Sequence, residues 1–368
     1  IDLAKRVFHV HGVDQKGNTV LRKKLMRDQV LVFMEKLEPC VVGLEACGGA
    51  HYWAREIGRL GHQVRLMAPQ FVKPYVKGNK NDRADAEAIC EAVSRPVMRF
   101  VPVKTEAQQD IQMIHRVRSR LVKSRTALSN EIRGLLGEYG IIIPRGIPAL
   151  RRRLPEVLAK SAVLSSQTKE LFYELLEEFH EIDSRIRAHE KRLREVCRDS
   201  EVCRRLLTVP GIGYITATAL FAAAGDAGVF ENGRQMAAWM GLVPKHVGIG
   251  GRDRMLGISK RGNSYLRSLL VHGARSVHRT NISKRRKDGN NAFGKTNGGD
   301  GGKTPDTVQA GKEAFCEWIC ALDERRGACR STVAIANKLA RYAWAVMSSG
   351  EEFDPNRYEA MLARAQAA

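Results

Sequence analysis

The sequence predicts a mixed α/β domain followed by a mainly helical remainder. Short apolar runs of β type alternate with helical stretches through residues 1–103. Long stretches with helical periodicity fill 104–200, and glycine-punctuated helical segments occupy 201–350. At 368 residues the chain has room for two or three domains with real cores, and its 43% hydrophobic content is that of a folded protein.

The first region reads element by element. IDLAK looks like the second half of a strand, which suggests that a short segment precedes Ile1. VFHVHGV and TVLRKKLM flank the polar, glycine-containing DQKGN and read as a hairpin. A helix follows near 28–37, then the strand CVVGLEA, a helix near 50–60, the strand QVRLMAP and a helix over about 82–94. Three consecutive antiparallel strands followed by αβαβα is the element order of the ribonuclease-H-like fold. In that order Asp2 lies on the first strand and Glu45 at the end of the fourth. Asp82 and Asp85 open the last helix, three apart and so on one face.

These acids carry the functional reading. Carboxylates gathered at strand ends repel one another unless a cation joins them, and hard oxygen ligands suit Mg²⁺. The chain has 61 Lys+Arg against 40 Asp+Glu, a net charge of +21, which favours a polyanionic partner. Together these features point to a metal-dependent enzyme acting on nucleic acid phosphates. Any one acid alone reads as a surface group, and Asp82 alone as a helix cap. The order of the acids along the elements is what raises the catalytic reading.

Residues 104–200 read as a linker of long helices. Ile111, Ile114, Val117, Leu121, Leu128, Ile132 and Leu135 fall on one face. The other face carries Arg116, Arg118, Arg120, Lys123, Arg125 and Arg133, with Arg151, Arg152 and Arg153 beyond. A solvated basic face and a nucleic-acid backbone surface explain it equally well. Leu175, Phe179, Ile182, Ile186, His189, Leu193 and Val196 form a heptad-like seam suited to a coiled-coil hairpin or a dimer.

Within 201–350, LLTVPGIGYITATALFAAAG at about 205–225 matches a helix–hairpin–helix. Gly211 and Gly213 permit the tight turn, whose amides can hold a phosphate. An ordinary turn between helices is the competing reading. Downstream, glycines mix with Lys245, Arg252, Arg254, Lys260, Arg261, Arg267 and Arg275, a combination suited to gripping a strand. Residues 285–313, with seven glycines between 289 and 311, read as a disordered insert. EAFCEWICALDERRG and VAIANKLARYAWAVM then read as helices, and 351–368 as a tail. The eight cysteines lack framework spacing; Cys40, Cys47 and Cys90 read as buried thiols, which fits a reducing cytoplasm. No apolar stretch reaches membrane-spanning length, and the start shows no signal peptide.

IDLAK, GLEACGGAHYW, KNDRADAEAI, VPGIG, GLVPK, GISKRGN with YLRSLLVHGAR, and NKLARYAWAV occur in this order along nearly the whole chain. In this the sequence resembles the DEDD transposases of insertion sequences. These form the family numbered one hundred and ten, with its eleven-eleven subgroup and the Piv-type DNA invertases. The resemblance implies a RuvC-like domain holding Mg²⁺ with Asp2, Glu45, Asp82 and Asp85, a coiled-coil linker and a transposase domain. It also implies strand exchange through a serine in that second domain, donor and target DNA chosen by a structured bridge RNA, and a homo-oligomer, dimer or tetramer. The chain departs from the pattern after GLVPK: where relatives carry a serine pair, it has Gly248 and Ile249. The nucleophile therefore does not carry over. A structure-selective nuclease using water, and an inactive nucleic-acid-binding derivative, are the competing functions.

Overall fold

A computed structural model describes residues 1–77, 81–249, 252–292 and 307–356; side chains at 249, 252, 253, 284, 286–292 and 307–312 also fall outside that description. The chain divides into two compact units, Ile1–Gln109 and Asp110–Ala368.

In the first unit, β1 (Val7–Val13) and β2 (Thr19–Met26) form an antiparallel hairpin with Phe8 opposite Leu25. Its turn is set by Asp14, whose carboxylate accepts the amide N–H groups of Lys16 and Asn18. There follow α1 (Gln29–Glu35), β3 (Val41–Glu45), α2 (Ala50–Arg59), β4 (Gln63–Met67), α3 (Pro69–Val72), α4 (Asp82–Val93) and β5 (Phe100–Val101). β3 pairs parallel with β4, and β4 antiparallel with the short β5, which the sequence did not signal. Phe8, Met34, Leu44, Trp53, Ile57 and Leu66 share one core. The strand expected over IDLAK is a single bridge, Asp2 to His9. On the other side, the Ile1 nitrogen donates to the Gly43 carbonyl at 2.9 Å. The first two residues thus touch both the hairpin and β3. Cys40 and Cys47 are exposed, not buried as expected, because they flank β3 instead of lying within it; Cys90, on α4, is half-buried.

Among its described residues the second unit is helical apart from one β-ribbon. It comprises most of α5 (Glu106–Gly137), then α6 (Ile147–Lys160), α7 (Ser166–Asp199), α8 (Glu201–Leu207), α9 (Tyr214–Ala224) and α10 (Gly233–Trp239). Next come β6 (Pro244–Ile249) and β7 (Arg252–Ile258), then α11 (Ser264–Ala292) and α12 (Thr307–Ser349). α12 is two helices joined at Gly327, whose φ of 72° lies outside helical space. The insert expected at 285–313 is helical at both flanks, since α11 runs to Ala292 and α12 begins at Thr307; 293–306 lie outside the described residues.

The heptad seam of α7 is covered by the chain itself. Phe172, Leu176, Phe179, Ile182 and Ile186 form one core with Leu121, Leu128, Ile132 and Leu136 of α5 and Leu150, Leu154 and Leu158 of α6. That makes it an intrachain contact and removes it as the surface for a second copy. Leu136, not Leu135, faces in. At the end of α7 the buried position is Cys197, one past Val196, as expected when a 3.5-residue repeat runs along a 3.6-residue helix. Asp183, almost fully buried, accepts from Arg125 at 2.6 Å and Arg151 at 2.5 Å, fixing the register of the three helices. A neutral relay lies deeper. His115 contacts the Tyr265 hydroxyl at 3.1 Å through Nδ1 and Thr218 Oγ1 at 3.0 Å through Nε2. Thr218 donates to the Tyr214 carbonyl, so it accepts from Nε2–H, which leaves Nδ1 to accept from the tyrosine.

Candidate active site

In α4, Asn81 caps the helix by accepting the Ala84 N–H at 2.8 Å. Asp82, read from sequence as a possible cap, is relieved of that task and presents its carboxylate outward with Asp85 in the first turn. α4 packs against β1 and β3, which brings that turn to the Asp2 bridge. One ligand atom from each of Asp2, Asp82 and Asp85 lies within 4.8 Å of the others; among the described residues this is the only such group of three or more His, Cys, Asp or Glu. Burial, then the charges of Asp85 and Asp82, push the Asp2 carboxyl up from its usual range.

Glu45 ends β3 and is not part of the 4.8 Å group. Cys47 reports its surroundings: burial raises that thiol first, followed by the Glu45 charge and, more weakly, Asp2. Sequence reasoning missed His9. It sits directly opposite Asp2 in the bridge, so both side chains lie on one face. Its Nδ1 stands 3.7 Å from an Asp82 oxygen and has no hydrogen-bond partner among the described residues. The alternation in VFHVHGV, with Phe8 and Val10 buried, was the available signal.

The residues singled out for nucleic acid lie in the second unit, in three situations. Arg116, Arg120 and Lys123 on α5, Arg152 on α6, and Lys245, Lys260 and Arg261 around the ribbon are exposed. Arg151 is engaged by Asp183, and the Arg267 guanidinium donates to the carbonyls of Met240 at 2.9 Å and Arg261 at 3.1 Å. The side chain of Arg252 lies outside the described residues. Gly213 is exposed as the N-cap of α9, whereas Gly211 (φ 80°) is pressed against α11, where a Cβ would stand 2.9 Å from the Gly273 carbonyl.

The stretch after GLVPK, read only as glycines mixed with cations, is the β6–β7 ribbon, with Gly248 opposite Asp253 and Ile249 opposite Arg252 near its tip. The Gly-Gly between two runs was a hairpin signal that went unread. The motif glycines fix a crossing of two loops. A Cβ on Gly241 (φ 73°) would lie 2.0 Å from the Arg261 carbonyl, and one on Gly262 (φ 79°) 1.8 Å from that of Trp239.

Comparisons with known proteins give the family. A family model described as Transposase, of the DEDD type, matches residues 1–141, and one described as Transposase IS116/IS110/IS902 family matches 203–289. The chain is 49% identical to a "Probable family 20 transposase" of Pseudomonas aeruginosa, covering 95% of this chain and 96% of that protein. It is 42% identical to the "Transposase for insertion sequence element IS1111A" of Coxiella burnetii, over 96% and 90%, and 40% identical to the "Transposase for insertion sequence element IS1328" of Yersinia enterocolitica, over 96% and 97%. Two separate family matches and similarity along almost the full length show that the chain belongs to the IS110 family of insertion-sequence transposases.

Proposed function

We propose that the first unit is a RuvC-like, metal-dependent centre that cleaves DNA at the ends of an insertion sequence, with Asp2, Asp82, Asp85 and Glu45 as its acids. The convergence of the first three within 4.8 Å is the observation that carries this reading. The bridge of Asp2 to His9 and the bond of Ile1 to Gly43 support it, because they set the Asp2 segment between the hairpin and β3, as a central first strand requires. The donor set fits a divalent ion of the Mg²⁺ type: oxygen ligands only, with like-charge repulsion at Asp2 that a cation relieves. Such an ion, when bound, polarises a phosphoryl oxygen and stabilises the leaving oxygen. The chain's own residues do the placing. Asn81 frees Asp82 from capping, α4 holds Asp82 and Asp85 in one turn, and His9 stands beside Asp82 to orient it.

Donor and target DNA are chosen, in this reading, by a structured guide RNA whose phosphates meet the exposed cations of α5 and α6. Strand exchange draws on several copies of the chain. Covalent exchange is impaired in this copy. Neither Gly248 nor Ile249 can attack phosphorus, and Ser259 lies at the opposite end of β7 from them. Seven strand residues span roughly 20 Å, far more than a reacting geometry tolerates. A second reading, cleavage by activated water without rejoining, is favoured by that same altered site.

The test is to incubate purified protein with its flanking RNA, donor and target DNA and Mg²⁺. The expected products are cut strands without rejoining, with joining restored by Gly248→Ser plus Ile249→Ser. A covalent protein–DNA adduct mapped to any serine of the unaltered chain contradicts the impairment. Full cleavage by Asp82→Asn contradicts the acid centre.

A further inference from the structure

The second unit contains a groove of about 1100 Å³ between the base of the β-ribbon and α12. Its walls carry Lys260, Arg326, Arg330, Lys338 and Arg341, and among the described residues no carboxylate lines it. Four of these cations come from α12, which the sequence reading took only as helices. The groove floor is not uniformly polar. Trp318 contributes an aromatic face, held under the Lys338 ammonium at 4.3 Å, and the ribbon contributes Met255 and Leu256, which are 68% and 47% exposed.

We propose that this groove binds a single strand of DNA, a site additional to the acid centre. The inference rests on the reading that the protein handles DNA strands, and it deepens that reading by naming where one lies. A row of cations matches a phosphate backbone, while the exposed aliphatic surface of Met255 and Leu256 beside the half-buried Trp318 matches unpaired bases; a duplex hides its base faces. A second copy of this chain would bring a net charge of +21 towards five cations. Both kinds of single strand share this chemistry; the family acts on DNA, which makes DNA the strand proposed and RNA an outcome of the test.

Cys329 makes the test direct, because it is exposed and lines the groove. The full chain would be alkylated with iodoacetamide in the presence of oligothymidylate, the same sequence as a duplex, and oligouridylate. Mass spectrometry would follow Cys329, with exposed Cys40 of the first unit as reference. The expected result is selective protection of Cys329, strongest with single-stranded DNA. Arg326→Gln with Arg330→Gln, both exposed in the native chain, should lower the log–log salt slope of oligothymidylate binding by about 1.4, at ~0.7 per phosphate contact on a single strand. Unchanged alkylation of Cys329 under saturating oligothymidylate overturns the proposal, as does equal or better protection by duplex or by oligouridylate. Asp82→Asn separates the two readings: the groove predicts that this variant still protects Cys329 whether or not it cuts DNA.

Discussion

At the residue scale, burial decides which charges act. Burial first, and Arg118 second, push the His115 imidazole down to about 4. Its unfolded value is near ~6.5, so the unfolded chain binds the extra proton between those limits. The contribution is therefore complete above pH ~6.5 and is lost as pH falls towards 4, up to about 3 kcal/mol. Urea unfolding of the native chain and of His115→Gln between pH 7 and 5 checks this. The native chain should lose the larger share, and parallel losses would rule out His115 as the cause. At the acid site the informative residues were partly legible. Asp82 and Asp85 could be paired by helical spacing alone. Asp2 and His9 could not, because their meeting depends on a cross-strand register that no local pattern encodes.

At the element scale, periodicity revealed the helices and hid their partners. The seam of α7 was legible, but whether α5 and α6 or a second copy would cover it was not. Apolar spacing states that a face is buried without stating by what. Phe179→Ala should cost about 3–5 kcal/mol in thermal or urea unfolding, as a large cavity in a closed core does. It should leave the oligomeric state in sedimentation unchanged; dissociation of an oligomer would return the seam to an intermolecular role. The glycines behaved oppositely. GLVPK and GISKRGN gave no sign of packing in the sequence, yet Gly241 and Gly262 hold a fixed crossing. Gly241→Ala, with φ 73° and a carbonyl at 2.0 Å, should destabilise by at least about 3 kcal/mol. Gly17→Ala, with a comparable φ but nothing within 4 Å, should cost only about 1 kcal/mol. Equal effects in calorimetry would show that conformation, not the crossing, governs Gly241.

At the scale of the whole molecule, we propose that the acid-bearing α/β unit cuts while the basic helical unit holds the strands. Composition made a polyanionic partner legible, and the order of the acids made the grouping of Asp2, Asp82 and Asp85 legible, though not the place of Glu45 outside it. The groove on α12 was not, since its cations are scattered through a helix that otherwise reads as core. Nucleic-acid affinity should fall about 10³-fold or more between 50 and 200 mM salt if six or more phosphates are neutralised; an affinity flat over that range would contradict the role given to the charge. The central claim is that Asp2, Asp82 and Asp85 form one divalent-metal site. Its most direct test is titration with Mn²⁺, followed by electron paramagnetic resonance of the free ion, on the native chain and on Asp82→Asn with Asp85→Asn. The account predicts saturable binding by the native chain, largely lost in the double variant while its circular dichroism stays native. Mn²⁺ binding of equal strength in both proteins would contradict it.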